Sequence, residues 1–247
     1  KEINGKNDFI FDLCNERIID SLEIIKLNFK KILILGDHGT KLRKFINQKY
    51  INTSVTLYDL KNNNFDLDEW QYKCNENAYD LIISNFYLFL SENLDNLFKK
   101  IINSLTSNGF FIATMPTQEN FNSLKKAMIK TDIELYGGAY NRFNQFLNLE
   151  DIIKLLKNNN FKIPLVNLEN IKLEYKKLDN LLSDIRSMKL SYFNEDKKQK
   201  FESRHYLVKL EKNFKKNNQN NYIISTNFYI VSGWKDHHSQ QKPLKPG

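Results

Sequence analysis

Gly36 closes the apolar run KKILILG (residues 30–36) and opens the turn Gly36-Asp37-His38-Gly39-Thr40. A helix-patterned stretch, KLRKFINQKY (41–50), follows directly, with Leu42, Phe45 and Ile46 inward. A glycine turn leading from a strand into a helix lets a ligand approach the backbone closely and offers it unpaired N–H groups, as a nucleotide-type ligand requires. Asp59 stands at the end of VTLYDL (55–60). An ionised carboxylate is purely an acceptor, so it can take the hydrogens of both hydroxyls of a ribose. Ser84 and Asn85 end YDLIISN (79–85) and can bond the polar end of the same ligand or help to hold a substrate. Each feature also has a plainer reading. Strands ending in glycine before a helix are common in α/β proteins, and an Asp near a strand end is often a cap or turn former.

Other reactive residue types carry less. Histidine as a residue type can serve as a base near neutrality, but the place of His38 inside the turn suits a structural or backbone-capping role. His237 and His238 adjoin one another without Cys or carboxylate neighbours at metal-ligand spacing, so no metal site is expected. His205 and Arg204 read as surface residues, and Trp70 and Trp234 as packing anchors. Cys14 and Cys74 lie far apart with no CxxC partner. Neither a disulfide framework nor a zinc site is indicated, and a reducing compartment is expected.

The elements that must position these residues alternate. Residues 9–28 form an amphipathic helix, with Ile18, Leu22 and Ile25 at helical spacing. Strands are expected at 30–36, 55–60, 79–85 and 109–115, with helices at 41–50 and 93–105 and a turn at 106–109. Near-continuous apolar strands are those of a parallel sheet covered on both faces. The stretch 61–77 is polar and irregular. Beyond Pro116 the spacing predicts a helix ending near Ile129, a loop over 137–146 and a helix over 148–159. A short strand from Phe161, a helix over 178–192, a charged helical stretch over 195–217 and a final strand over 221–235 complete the chain. The fold class is α/β: a doubly wound, mostly parallel, Rossmann-like sheet in three layers. We expect a single domain over 1–235, with a cofactor-binding core at 29–115, substrate-side cap elements at 116–160 and 176–218 and a final strand at 221–233. A loose tail follows at 236–247.

The chain has 247 residues, 41% of them hydrophobic, with 18 Phe and 12 Tyr, enough to build a core of that size. The net charge of +8 comes from lysines interspersed with Asp and Glu, without a stripe of arginines and aromatics. This reads as a solvated surface, and no nucleic-acid partner is expected. No apolar run reaches the roughly 18–20 residues of a membrane span, and no signal-peptide pattern opens the sequence.

Several uncommon pieces occur in a fixed order: YDLIIS (79–84), SNGFFIATM (107–115), Gly137-Gly138 with Arg142, Asp184-Ile185-Arg186-Ser187-Met188, Gly233-Trp234, and Ser239-Gln240-Gln241-Lys242-Pro243-Leu244. In them the sequence resembles the class I S-adenosylmethionine methyltransferases. Within that class it is similar to the bacterial relatives of the mitochondrial respiratory complex I assembly factor 5, and more distantly to the malonyl carrier-protein methyltransferase of biotin synthesis. The resemblance implies S-adenosyl-L-methionine as cofactor, with Gly36, Asp37, Gly39, Asp59, Ser84 and Asn85 around it and Asp66 or Asp68 toward its adenine. The family's turn has an acidic residue, an apolar residue and then Gly-x-Gly-x-Gly. Here Ile34 holds the acidic position, and His38 and Thr40 stand where the later glycines would be.

Methyl transfer asks mainly that an acceptor be held in line behind the sulfonium methyl group, which needs neither a metal nor a protein nucleophile. The absence of a Ser-His-Asp or Cys-His arrangement is therefore no objection. If the acceptor is a carboxylate, arginine is the favoured contact, and Arg142 and Arg186 fall in pieces shared with the family, with Tyr140 beside the first. The resemblance implies methyl transfer to a small molecule or protein. Two alternatives stand beside it: hydroxylation of a protein arginine, in a respiratory complex I subunit, and a non-catalytic assembly factor that has lost the cofactor. The expected location is the cytoplasm or the inner face of a membrane, and the mitochondrion in a eukaryotic source.

Overall fold

A computed structural model describes residues 9–36, 41–58, 75–187, 190 and 202–237. Its elements are α1 (Phe9–Ile24), β1 (Lys31–Leu35), α2 (Lys41–Lys49), β2 (Ser54–Tyr58), β3 (Tyr79–Asn85) and a single 3-10 turn (Leu88–Leu90). There follow α3 (Leu94–Ser104), β4 (Leu105–Pro116), α4 (Asn122–Tyr136), α5 (Leu149–Asn158), β5 (Lys162–Tyr175), α6 (Leu178–Ser187), α7 (Arg204–Asn213) and β6 (Tyr222–Trp234). Six strands form one sheet in the order β2-β1-β3-β4-β6-β5. β2, β1, β3 and β4 run parallel, and β6 lies antiparallel to β4. The doubly wound, mostly parallel α/β class expected from the alternation is the observed one.

The chain divides into two compact units. The larger comprises Ile10–Pro116, Leu147–Glu169 and Phe228–Gly247, and the smaller comprises Lys1–Phe9, Thr117–Phe146 and Asn170–Asn227. In the larger unit Ile32 to Leu35 of β1 are all buried, because helices cover both faces. Leu33, Leu35 and Ile82 pack with Leu97, Phe98 and Ile101 of α3 and with Ile152, Leu155 and Leu156 of α5. Side chains alternate along a strand, so Ile32, Ile34 and Asn85 face the other way. On that second face Asn85 donates through Nδ2 to the Phe11 carbonyl (3.1 Å) and to Asn15 Oδ1 (2.7 Å), both on α1. Thr114 Oγ1 of β4 donates to Asn85 Oδ1 (2.9 Å) and accepts from the Phe86 N–H (3.1 Å). Asn15, Asn85 and Thr114 are essentially inaccessible to water.

On the side of the sheet away from β1, β6 lies between β4 and β5. The Trp234 ring lies 4.5 Å from that of Phe110, as a packing anchor. A methyl group at Gly233 would come within 3.0 Å of the Phe161 ring, so the glycine lets that ring lie against the strand. Lys235 Nζ donates to Asn77 Oδ1 (2.9 Å) and to the carbonyls of Asn103 (3.1 Å) and Leu105 (2.6 Å), capping the carboxyl end of α3 with a cation.

Several boundaries differ from the sequence reading: α1 stops at Ile24, and the strand expected to be short runs over 14 residues as β5. α4 runs past Ile129 to Tyr136 and stops at Gly137 in the left-handed conformation (φ 74°). Thr131 and Asp132 look like helix breakers, but Thr131 Oγ1 bonds back to the Ala127 carbonyl (2.8 Å) and Asp132 is held by Arg142. β4 begins at Leu105: the turn residues 106–109 are an irregularity within the strand, since Tyr79 pairs with Leu105 and Leu81 with Phe110. The 195–217 helix is reduced to Arg204–Asn213 among the described residues.

The Asn85 amide links α1 to β3 and β4, so Asn85→Leu removes its bonds to the Phe11 carbonyl, Asn15 Oδ1 and Thr114 Oγ1 from a site closed to water. Urea unfolding should show a loss of about 3 kcal/mol. A loss below about 1 kcal/mol would mean that the network contributes little.

Candidate functional site

In an open α/β sheet, ligands bind beyond the carboxyl ends of the strands where strand order reverses. Here that point lies between β1 and β3. β1 pairs with β2 on one side and with β3 on the other, and its last residue, Leu35, lies level with both Tyr58 and Ser84. Gly36 follows with φ 79°, a conformation that glycine adopts without strain, and its N–H donates to the Tyr58 carbonyl (2.8 Å). Ser84 Oγ donates to the Leu35 carbonyl (3.2 Å). Beyond β3 the chain turns sharply through Phe86 (φ 52°) and brings Tyr87 over the Gly36 turn. A Cβ on Gly36 would sit 2.8 Å from the Cβ of Tyr87, so the close approach that requires glycine here is made by the protein's own tyrosine.

The side chains of Ser84 and Asn85 are therefore engaged within the larger unit, Ser84 with β1 and Asn85 with α1 and β4. Asp37, His38, Gly39, Thr40, Asp59, Asp66, Asp68, Trp70 and Cys74 lie outside the described residues, as do Met188 and the stretch from His238 onward. Cys14 is buried, and burial pushes its thiol far above the usual range. Such a thiol is a packing group.

The smaller unit places the three proposed substrate contacts differently from one another. Arg142 forms a two-point bond with Asp132 of α4: Nε donates to Oδ2 at 3.0 Å, and NH2 donates to Oδ1. The same NH2 group donates to Glu202 Oε1 (2.8 Å). The guanidinium carbon lies 4.6 Å from the centre of the Tyr206 ring, which in turn stacks on Tyr136 at 6.1 Å. Asp132 is fully buried, and it also accepts the Tyr140 backbone N–H (3.2 Å). Burial works to lower the pKa of Arg142, but the hydrogen bonds to Asp132 and Glu202 outweigh it and keep the guanidinium charged. Burial likewise pushes the Tyr206 phenol well up, against the pull of Arg142 and with that of Asp132 and Glu202. Tyr140 is part-exposed, its ring centre 5.9 Å from the Arg142 guanidinium carbon. Arg186 is exposed on the last turn of α6. Two residues before it, Asp184 accepts the Tyr175 hydroxyl (2.9 Å), and burial raises its pKa although that hydrogen bond opposes the shift.

Among solved structures, phosphoethanolamine N-methyltransferase 2 of Haemonchus contortus, in complex with S-adenosyl-L-methionine, matches 94% of this chain and 56% of its own at 18% identity and a TM-score of 0.51. A candidate methyltransferase of Bacillus halodurans matches 90% of this chain and 98% of its own at 10% identity and a TM-score of 0.50. The fold is that of the class I adenosylmethionine methyltransferases. No family model matches the chain. By sequence it is similar to proteins named arginine-hydroxylase NDUFAF5, mitochondrial. The one from Dictyostelium discoideum is 29% identical over 180 residues, 70% of this chain and 40% of the relative's length. The human one is 23% identical over 256 residues, 98% of this chain and 74% of its own length.

On this methyltransferase fold, sequence reasoning reached the end of β1 and the end of β3 but missed what surrounds them. The Asn15–Asn85–Thr114 network and the cover that Tyr87 gives Gly36 were not anticipated, nor were Asp132, Glu202 and Tyr206 around Arg142. None of these left a signal in the sequence, because Asp132 is unusual only in being fully buried, and burial follows from the fold.

Breaking the Arg142 fork leaves Asp132 buried without its partner. Arg142→Ala should lower stability by about 3 kcal/mol in chemical denaturation, with Arg142→Lys restoring only part of it. Unchanged stability would show that the arginine is not the anchor of this cluster. Asp184 offers a test of sign. A carboxyl whose folded pKa is raised disfavours folding above that pKa and has no such effect below its unfolded value near 4. Asp184→Asn should thus be more stable than the parent at pH 7 and equal to it near pH 3. An equal advantage at both pH values would remove ionisation as the cause.

Proposed function

We propose that the chain binds S-adenosylmethionine at the carboxyl edge of β1 and β3 and transfers its methyl group to an acceptor. The observation that carries this reading is the reversal of strand order at β1, with Gly36 in its left-handed turn directly beyond, on a methyltransferase fold. In this reading Gly36, Asp37 and Gly39 form the turn that receives the cofactor, and Asp59, the next residue after Tyr58, accepts the ribose hydroxyls. Ser84 and Asn85 set the end of β3 instead of contacting the cofactor through their side chains, which are already bonded. Arg186 is the arginine left for a carboxylate-bearing acceptor, since Arg142 is held between two carboxylates. When bound, the cofactor supplies the activated methyl group, and the chain's own contribution is to hold and align.

A second reading, hydroxylation of a protein arginine during complex I assembly, is favoured by the name of the relatives that match 98% of the chain. Inserting one oxygen atom of dioxygen into a C–H bond, with the other leaving as water, consumes an external pair of electrons. A complex I subunit is the acceptor in that reading, and the mitochondrion is the compartment where the source is a eukaryote. No helix among the described residues is long and apolar enough to cross a membrane.

Calorimetric titration of the purified chain with S-adenosylmethionine tests the site both readings share. We expect saturable binding close to one to one, abolished by Asp59→Ala. No heat at millimolar cofactor from a protein with an intact unfolding transition would remove methyl transfer and favour a factor that works without the cofactor. Where binding is found, transfer of labelled methyl to the acceptor separates the first reading from the second, which requires label from heavy dioxygen and an added reductant.

A further inference from the structure

We propose that the outward face of α4 is a docking surface for an acidic, amphipathic segment of a protein partner, a role independent of any cofactor. The helix reverses the usual polarity of a surface helix. It buries Thr131 and Asp132 along with Leu124 and Ala127, yet leaves Ile129 45% and Ile133 55% exposed. Tyr136 and Tyr140 continue the same stripe at 40% and 41% exposure, their rings edge to face at 5.7 Å. Positions 129, 133 and 136 recur at steps of four and three, so they line one face of the helix. Isolated exposed apolar residues are ordinary, but a continuous stripe on a helix that buries a carboxylate is not.

The charge beside the stripe selects the partner. Lys126 and Lys130 flank it along α4, both exposed, and Lys209 of α7 approaches Glu134 at 3.0 Å. Glu134 is further engaged by Asn213 (3.0 Å) and by Lys130 at 3.9 Å, so this flank is net positive. A segment that lays apolar side chains at helical spacing on Ile129, Ile133 and Tyr136 meets these lysines with carboxylates at its edge. A bilayer fits less well. It presents no side chains at the four- and three-residue steps of Ile129, Ile133 and Tyr136, which a helical segment matches.

The probe is a fluorescein-labelled synthetic helix with Leu on one face and Glu on its borders, titrated by anisotropy against the full chain. Expected is saturable binding that weakens at least about tenfold in Ile133→Glu and in the Lys126→Glu, Lys130→Glu pair, and that falls with added salt. Ile133 is exposed, so Ile133→Glu should keep the parent's thermal midpoint, which the same samples verify. Absent binding, or equal affinity for parent and Ile133→Glu, overturns the proposal. So does sedimentation with phosphatidylcholine–phosphatidylglycerol vesicles that depends on Ile133 without peptide binding, which assigns the face to a membrane. A dimer in sedimentation velocity that Ile133→Glu dissolves overturns it as well, in favour of a second copy of the chain.

Discussion

One buried amide holds the larger unit in register. Asn85 ends β3 facing α1, and both its nitrogen hydrogens and its carbonyl oxygen are taken by partners that are themselves inaccessible to water. A polar group in that position is costly unless it is satisfied, and a partly satisfied network is worse than an apolar one. The arrangement therefore has few substitutes: a slip of β3 by one residue would carry the amide to the opposite face, away from Asn15 and Thr114. Because Thr114 also accepts the Phe86 N–H, the same network fixes the sharp turn that follows β3. That turn delivers Tyr87 to Gly36. The shape of the carboxyl edge at the β1–β3 switch point is thus set from the far side of the sheet.

The smaller unit is organised on a different principle, a charged cluster instead of an amide network. Arg142 meets Asp132 with two nitrogens, Glu202 with one, and the face of Tyr206 with its plane. A lysine has neither the fork nor the flat surface for this combination. The cluster ties α4, the 137–146 loop and the start of α7 together, and it explains how a carboxylate comes to lie fully buried in a helix. It also explains why α4 turns apolar residues outward: the inward face at that level is already committed to charge.

Legibility in the sequence followed the range of the interactions. β1 and β3 could be read because helices bury both faces of a parallel strand, and that leaves an apolar run any reader can find. The glycine at 36 and the polar pair at 84–85 were visible for the same reason, as the points where the run stops. What Ser84, Asn85 and Arg142 bond to could not be read. Their partners stand far along the chain, Asn85 with Asn15 and Thr114, Arg142 with Glu202, and no spacing rule links them. The end of α4 was misplaced because Thr131 and Asp132 disfavour helix locally, and only tertiary bonds reverse that preference. The resemblance to the methyltransferase class supplied what periodicity could not, an expectation of which ligand the switch point serves.

The position of β6 has a consequence for how the chain comes into being. β4 is flanked by β3 on one side and by Phe228–Trp234 on the other, and Lys235 closes a helix made more than a hundred residues earlier. During synthesis from the amino end, β1 to β4 can assemble as soon as they emerge, but β4 then presents an open, unusually apolar edge until the last strand leaves the ribosome. Such an edge is a template for pairing with another chain. The interval between the two events, in which residues 117–227 are made, is when the nascent protein is most exposed to misassembly and most dependent on whatever shields it.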